Sequence, residues 1–166
     1  MYDYVNKCWC EPRYSDGNNS ILSIYDKTRT VVGPRANLPL SPNRYNLPDN
    51  NDYVVDTVND LISFQPGIYF ITYTITARIP VAALTTIPLS IMVSRGGRDY
   101  MPLSASAYNN DNIATLSGST MFPGGGRASL LLINNTRRPD LQYIQIELIS
   151  FEITAHKLYA LQRAID

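Results

Sequence analysis

Histidine and tryptophan each occur once in this chain, at His156 and Trp9, and cysteine only twice, at Cys8 and Cys10. A lone histidine with no cysteine or nucleophile motif beside it leaves no dyad for covalent catalysis. Neither G-x-S-x-G nor a Walker loop is present, and the GGGR run at Gly124 leads into a strand pattern, without the helix N-terminus that would hold phosphate. It reads as a hairpin turn. The carboxylates Asp49, Asp52, Asp99 and Asp111 fall on separate loops, so no pair for acid–base work can be named. The chain is not expected to be an enzyme or to carry a cofactor. Calcium asks for about six to eight oxygens, of which YNNDN (108–112) offers a few; a polar connecting loop is the simpler reading, and no metal site is assigned.

Charge is also scarce. Ionic side chains make up 17% of the chain, and 14 Lys and Arg balance 14 Asp and Glu. Without a clustered cationic field, neither nucleic acid nor an anionic membrane is expected as a partner. Arg137-Arg138 reads as a solvated loop. The most apolar stretch, IPVAALTTIPLSIMV from Ile79, is interrupted by Pro80, Thr85, Thr86, Pro88 and Ser90, and so falls short of the ~20 apolar residues of a membrane span. The N-terminus lacks the basic region, apolar run and small-residue cleavage site of a secretory leader. The expectation is a protein that works in the cell that made it, or that reaches a surface by another route. The sequons at Asn18 and Asn134 carry no weight in a chain this rich in asparagine.

What is there is strand after strand. ILSIY and TRTVV are short candidates, and the Pro- and Asn-rich run from Gly33 to Asp52 reads as an irregular excursion. YVVDTV and LISF flank the turn pair Asn59-Asp60, and PGIYFITYTITAR follows. In it Tyr69, Ile71, Tyr73, Ile75 and Ala77 share one face, and Ile68, Phe70, Thr72, Thr74 and Thr76 the other. A period of two, carried by β-branched and aromatic residues, predicts a strand. LSIMVS, a Gly96-Gly97 turn, RDYMPL, TLSGSTMF, ASLLLIN and YIQIELISFEITA complete the series. In the last, Ile144, Ile146 and Leu148 share a parity that Ile149, Phe151 and Ile153 do not, which predicts a bulge near Leu148-Ile149. Eight or more short strands with Gly and Asn turns predict an all-β, antiparallel two-sheet sandwich, with a jelly roll as the leading form. The divisions are a connector over 1–10, a flexible spacer over 11–20, the jelly roll over 21–157 and a short helical or irregular tail over 158–166.

SFQPGIYFITYTITARI, followed by NIATLSGSTMFPGGGRASLLLIN, resembles the paired signature of complement first-component q heads and tumour necrosis factor-like jelly rolls. Within that group, IYDKTRTVVGPRANLPL is most similar to the terminal domains of spore-surface collagen-like glycoproteins and spore appendage subunits. No Gly-X-Y repeat is present; residues 1–20 stand in its place. The resemblance implies a homotrimer in which an apolar sheet face meets neighbouring copies. Tyr69, Phe70, Tyr73, Phe151, Ile153 and Tyr159 are the residues expected in the core or at the trimer interface.

The opening stretch MYDYVNKCWC gathers both cysteines, the tryptophan and two tyrosines. If it is extended, Cys8 and Cys10 share a face with Cα atoms about 6.6–6.8 Å apart, near the limit for a disulfide. With no third cysteine, an intermolecular bridge is expected. In a trimer the two could close a ring of three bridges, or they could staple one subunit to the next. Tyr2, Tyr4, Val5 and Trp9 make the segment one that adds to a neighbour as a strand or plug. The expected function is a structural subunit of an extracellular fibre on a spore surface, built from stacked trimers, with an anchor or tip protein as a further partner. The alternatives are a trimeric ligand- or receptor-binding head, of spore surface or virus, and a tail with two reduced thiols.

Overall fold

The computed structural model describes residues 21–26, 29–40, 45–46, 52–80, 87–95, 98–106, 112–125 and 129–159. The connector residues Tyr2, Tyr4, Val5, Cys8, Trp9 and Cys10, the spacer, residues 107–111 and residues 160–166 lie outside the described residues, as does the Tyr159 side chain. Among the described residues the chain forms strands β1 (Ile21–Asp26), β2 (Thr30–Val32), β3 (Tyr45–Asn46), β4 (Tyr53–Asp56), β5 (Leu61–Phe64) and β6 (Gly67–Arg78). Then come β7 (Pro88–Arg95), β8 (Arg98–Ser106), β9 (Ile113–Gly124), β10 (Ser129–Asn134) and β11 (Ile146–Tyr159). One sheet runs β3-β1-β11-β6-β9, with β2 also on β11; the other runs β4-β5-β10-β7-β8. Every pairing is antiparallel, and the two sheets form the expected jelly-roll sandwich.

The period of two in β6 becomes burial. Tyr69, Ile71, Tyr73, Ile75 and Ala77 are buried between the sheets, while Phe70, Thr72 and Thr74 face outward. β11 changes register between Leu148 and Ser150 against β6, at the predicted bulge. The extra residue lets Ile146 and Leu148 before it, and Phe151 and Ile153 after it, all point into the core, where each is at most 1% exposed.

Several boundaries differ from expectation. β9 and β10 belong to different sheets, so the glycine run between them crosses from one sheet to the other and is not a hairpin turn. The reason is that β9 forms an outer edge against β6 alone, whereas β10 is sandwiched between β5 and β7. β11 also continues through Leu158 and Tyr159, past a second register shift, where the tail was expected to begin. Part of the Pro- and Asn-rich excursion is ladder. Where β5 stops pairing with β10, Arg35–Leu38 take its place: Leu38 N donates to Leu132 O (2.7 Å), Arg35 N to Asn134 O (3.0 Å), and Asn134 N to Ala36 O (2.9 Å).

The two ends of the sandwich are closed differently. At the end where β1 begins and β11 finishes, the rings of Tyr53, Phe64, Tyr69 and Phe122 pack with centroids 4.8–5.7 Å apart. Tyr53 Oη reaches across the sheets to donate to Ala155 O (2.9 Å), and Lys157 pairs with Asp52 beside the Tyr69 ring. Desolvation, with Asp52 nearby, pushes the Tyr69 phenol well above its ordinary range, so its proton stays in place to bond Gln65 O (2.9 Å).

The opposite end is closed by polar groups. Asn134, Asn135 and Thr136 are at most 3% exposed. Asn134 Nδ2 donates to Ile144 O (2.8 Å), Gly33 O (3.0 Å) and Val32 O (3.3 Å), and Asn134 Oδ1 accepts Thr136 N (3.1 Å). Thr136 Oγ1 bonds the backbone of Ser90 on β7, and Asn135 Oδ1 accepts Arg35 Nη1 (2.9 Å). This end therefore ties the loop after β2, β7, β10 and the approach to β11 together through polar side chains.

Candidate assembly face

The outer face of the six-stranded sheet is ordered in rows, because antiparallel partners share a face. Nearest the aromatic end, Ile21 of β1, His156 of β11, Phe70 of β6 and Met121 of β9 lie side by side across four strands. Ile21 is 41% exposed, Phe70 39% and Met121 47%, and Leu158, at the second bulge of β11, is 40% exposed. The next row reads Ser23, Thr154, Thr72, Ser119, and the one beyond it Tyr25, Glu152, Thr74, Ser117. Farther still, Ser150, Thr76 and Thr115 align.

The face thus changes character along its length. Its hydroxyl rows partner one another: Ser117 Oγ donates to Thr74 Oγ1 (3.2 Å), and the Thr76 and Thr115 hydroxyls lie 3.0 Å apart. These rows are content in water. The row nearest the aromatic end is not, since Ile21, Phe70 and Met121, with the His156 ring between the first two, gain by being covered. A cross-sheet line of this kind needs two facts, the parity of each strand and the register between strands, and sequence alone supplies the first.

The residues expected in the core or at an interface separate into two groups. Tyr69, Tyr73, Phe151 and Ile153 lie between the sheets and are at most 7% exposed. Phe70 lies on the outer face. Sequence reasoning did not place Ile21, Met121, His156 or Leu158 at an interface, because that needs their parity relative to neighbours whose register was unknown. Among the described residues no three His, Cys, Asp or Glu side chains cluster as a metal site would require.

No family model and no curated protein matches the chain. Solved structures do. A tumour necrosis factor, Eiger, of S. frugiperda aligns over 89% of this chain and 99% of its own with a TM-score of 0.58 at 12% identity. The globular domain of zebrafish complement 1qA aligns over 86% and 99%, with a TM-score of 0.53 at 11% identity. Murine APRIL aligns over 84% and 99%, with a TM-score of 0.52 at 11% identity. At these identities the likeness is one of fold, and it makes this chain a two-sheet jelly roll of the tumour necrosis factor and complement-head kind.

Proposed function

We propose that the protein is a structural subunit of an extracellular fibre, assembled as homotrimers that stack head to tail through residues 1–10. The observation that carries the first step is the apolar row Ile21, His156, Phe70 and Met121, which a second copy would cover. Self-association through a sheet face is also what the family resemblance implies. The second step rests on the sequence of the connector, whose two cysteines lack an intramolecular third partner, and on the rule that a heterologous contact that does not close extends into a filament. In this reading the chain has no catalytic role, and its setting is the spore surface that the resemblance to spore-surface proteins suggests.

The trimer is tested by substitution on the row. Phe70→Glu places a carboxylate beside His156 where an apolar neighbour would sit, and taking it out of water costs several kcal/mol. Analytical ultracentrifugation of a chain lacking residues 1–15 is expected to give three times its mass, and of the same chain carrying Phe70→Glu the monomer mass at unchanged far-ultraviolet circular dichroism. A stable monomer from the shortened chain without the substitution would defeat the trimer.

The fold's likeness to a tumour necrosis factor and a complement head favours a second reading, a trimeric binding head attached to a carrier by its N-terminus. Negative-stain microscopy separates the two. Fibres from the full chain and discrete particles from a chain lacking residues 1–15 are expected; discrete particles from both would favour the binding head.

A further inference from the structure

The described chain begins at Ile21, opposite His156, at the aromatic end of the sandwich. At the other end, beyond the start of β11, residues 137–143 form a small hairpin: Arg137 and Tyr143 are bridged, Arg138 N donates to Gln142 O (2.9 Å), and Leu141 N to Arg138 O (2.9 Å). The two places are separated by most of the length of β11, roughly 33 Å from His156 to Ile146 at about 3.3 Å per residue.

The hairpin is built oddly for a turn that only reverses the chain. Leu141 follows the turn with φ at 68°, a left-handed position that suits glycine, and is nevertheless a leucine, 69% exposed. A large apolar side chain held in an unfavourable conformation, with nothing gained by packing, points to a use outside the domain. Its surroundings are cationic and aromatic. The guanidinium of Arg35 lies 5.3 Å from the Tyr143 ring centroid and that of Arg137 5.4 Å, while Arg138 neighbours them on the same hairpin. Arg35 is itself held by Asn135, so this group is presented by the buried polar network beneath it.

We propose that this hairpin end, centred on Leu141, Tyr143, Arg137 and Arg138, is the docking site for residues 1–10 of a second copy of this chain. The proposal rests on the fibre reading above and names the surface that receives the connector. Three arguments select that occupant. The connector's chemistry is complementary, since Tyr2, Tyr4 and Trp9 offer ring faces to guanidinium groups, Asp3 offers a carboxylate to the same arginines, and Lys7 offers an ammonium to Asp140 of the hairpin. Its position is right as well: it leaves from the end of the domain that faces the hairpin end of the next unit in a head-to-tail stack. Its own hairpin is the wrong distance away, because a free ten-residue spacer spans about 16–19 Å, well short of the roughly 33 Å between the two ends. Arginine and aromatic side chains around one apolar anchor are also the composition found at the centre of interfaces.

The test uses the full chain. With benzoylphenylalanine at position 141, irradiation of the assembled protein is expected to join that residue to a peptide within residues 1–13 of another copy, identified by mass spectrometry. Crosslinks only to other regions, or no interchain product from protein that has formed fibres, would overturn the docking site and leave the fibre reading standing. Absence of fibres from the unaltered chain would overturn both. Leu141→Gly provides a second measurement that misfolding cannot mimic. It relieves the left-handed position, so the trimer should melt at the same or a higher temperature, while the concentration needed for trimers to join rises about tenfold or more, the loss of one apolar anchor at 1.4 kcal/mol per decade. Unchanged assembly by Leu141→Gly would count against the proposal.

Discussion

Asn134→Ala will lower the melting temperature by roughly 8–16 °C, the shift that a loss of about 4 kcal/mol produces in a domain of this size. The side chain is fully buried and completely used. Its two amide hydrogens serve three carbonyls, of Val32, Gly33 and Ile144, and its oxygen accepts the Thr136 amide. Truncation at Cβ takes a partner from each of those backbone groups, and the bonds lost to Val32 O and Thr136 N are fully buried, those to Gly33 O and Ile144 O partly so. Each orphaned buried group costs about 1–3 kcal/mol, whereas a surface hydrogen bond lost to water costs far less. The effect is not the sum over all four, because the Ile144 and Gly33 segments can relax, but two orphans already give the stated loss. Asn134→Asp should be no milder, since it turns a donor into an acceptor facing three other acceptors. Scanning calorimetry of the two variants checks this, and a shift below about 3 °C for both would show that the network is dispensable. The same geometry bears on the sequon. The nitrogen to which a glycan would be attached is the one bonded to the three carbonyls, so Asn134 in the folded chain is closed to glycosylation.

That network was invisible in the sequence for a physical reason. Asn134-Asn135-Thr136 follows the apolar alternation of β10 as three polar residues, which is how a strand leading into a loop reads. Whether such residues are solvated or buried depends on what the chain brings back to them, here Arg35, Ser90 and Ile144 from distant segments. The pairing of Arg35–Leu38 with β10 was hidden likewise: its hydrogen bonds are backbone to backbone, and the prolines and asparagines around it argue for a loop. Local pattern was legible wherever burial has a period. The alternation of β6 and the parity switch in β11 each decided a strand, and the switch located a bulge, because a side chain in a strand has only two directions to point.

The assembly face lies between those extremes. Parity placed Phe70 opposite Tyr69, but both faces of β6 carry apolar residues, and nothing local says which one the second sheet covers. The second sheet settles it by laying Tyr53 and Phe64 on Tyr69, and the register of β11 and β9 then aligns Phe70 with His156 and Met121 on the outside. The hairpin that carries Leu141 was read as a solvated loop from its two arginines. Its peculiarity is a backbone angle, and Pro139-Asp140-Leu141 gives no hint of that, since glycine or asparagine is the usual mark of a left-handed position.

Gly124→Ala is expected to prevent the sandwich from closing at its aromatic end, at a cost of about 3 kcal/mol or more, the upper range of overpacking in a dense core. Gly124 ends β9 opposite Gly67, at the point where the chain leaves one sheet for the other. A Cβ there would stand 2.5 Å from Tyr69 Cε2, 2.6 Å from Gln65 O and 2.8 Å from Phe64 Cβ. One of those atoms is backbone, and the other two belong to the side chains of Tyr69 and Phe64, whose rings pack on each other and on Tyr53. The Tyr69 ring cannot swing aside without giving up its bond to Gln65 and its place beside Lys157, and Gly125 next door donates to Phe64 O (3.2 Å), which holds the loop down. Gly118 makes a useful contrast. A Cβ at Gly118 would meet Tyr73 at its hydroxyl (2.2 Å) and at Cζ (2.7 Å), but these contacts are all to the far end of one side chain, with no backbone atom among them. Gly118→Ala should therefore cost less than Gly124→Ala, with both chains measured by urea unfolding at equal protein concentration. If Gly124→Ala proved the milder of the two, the close packing of β9 on the aromatic cluster would not be what holds that end of the two sheets together.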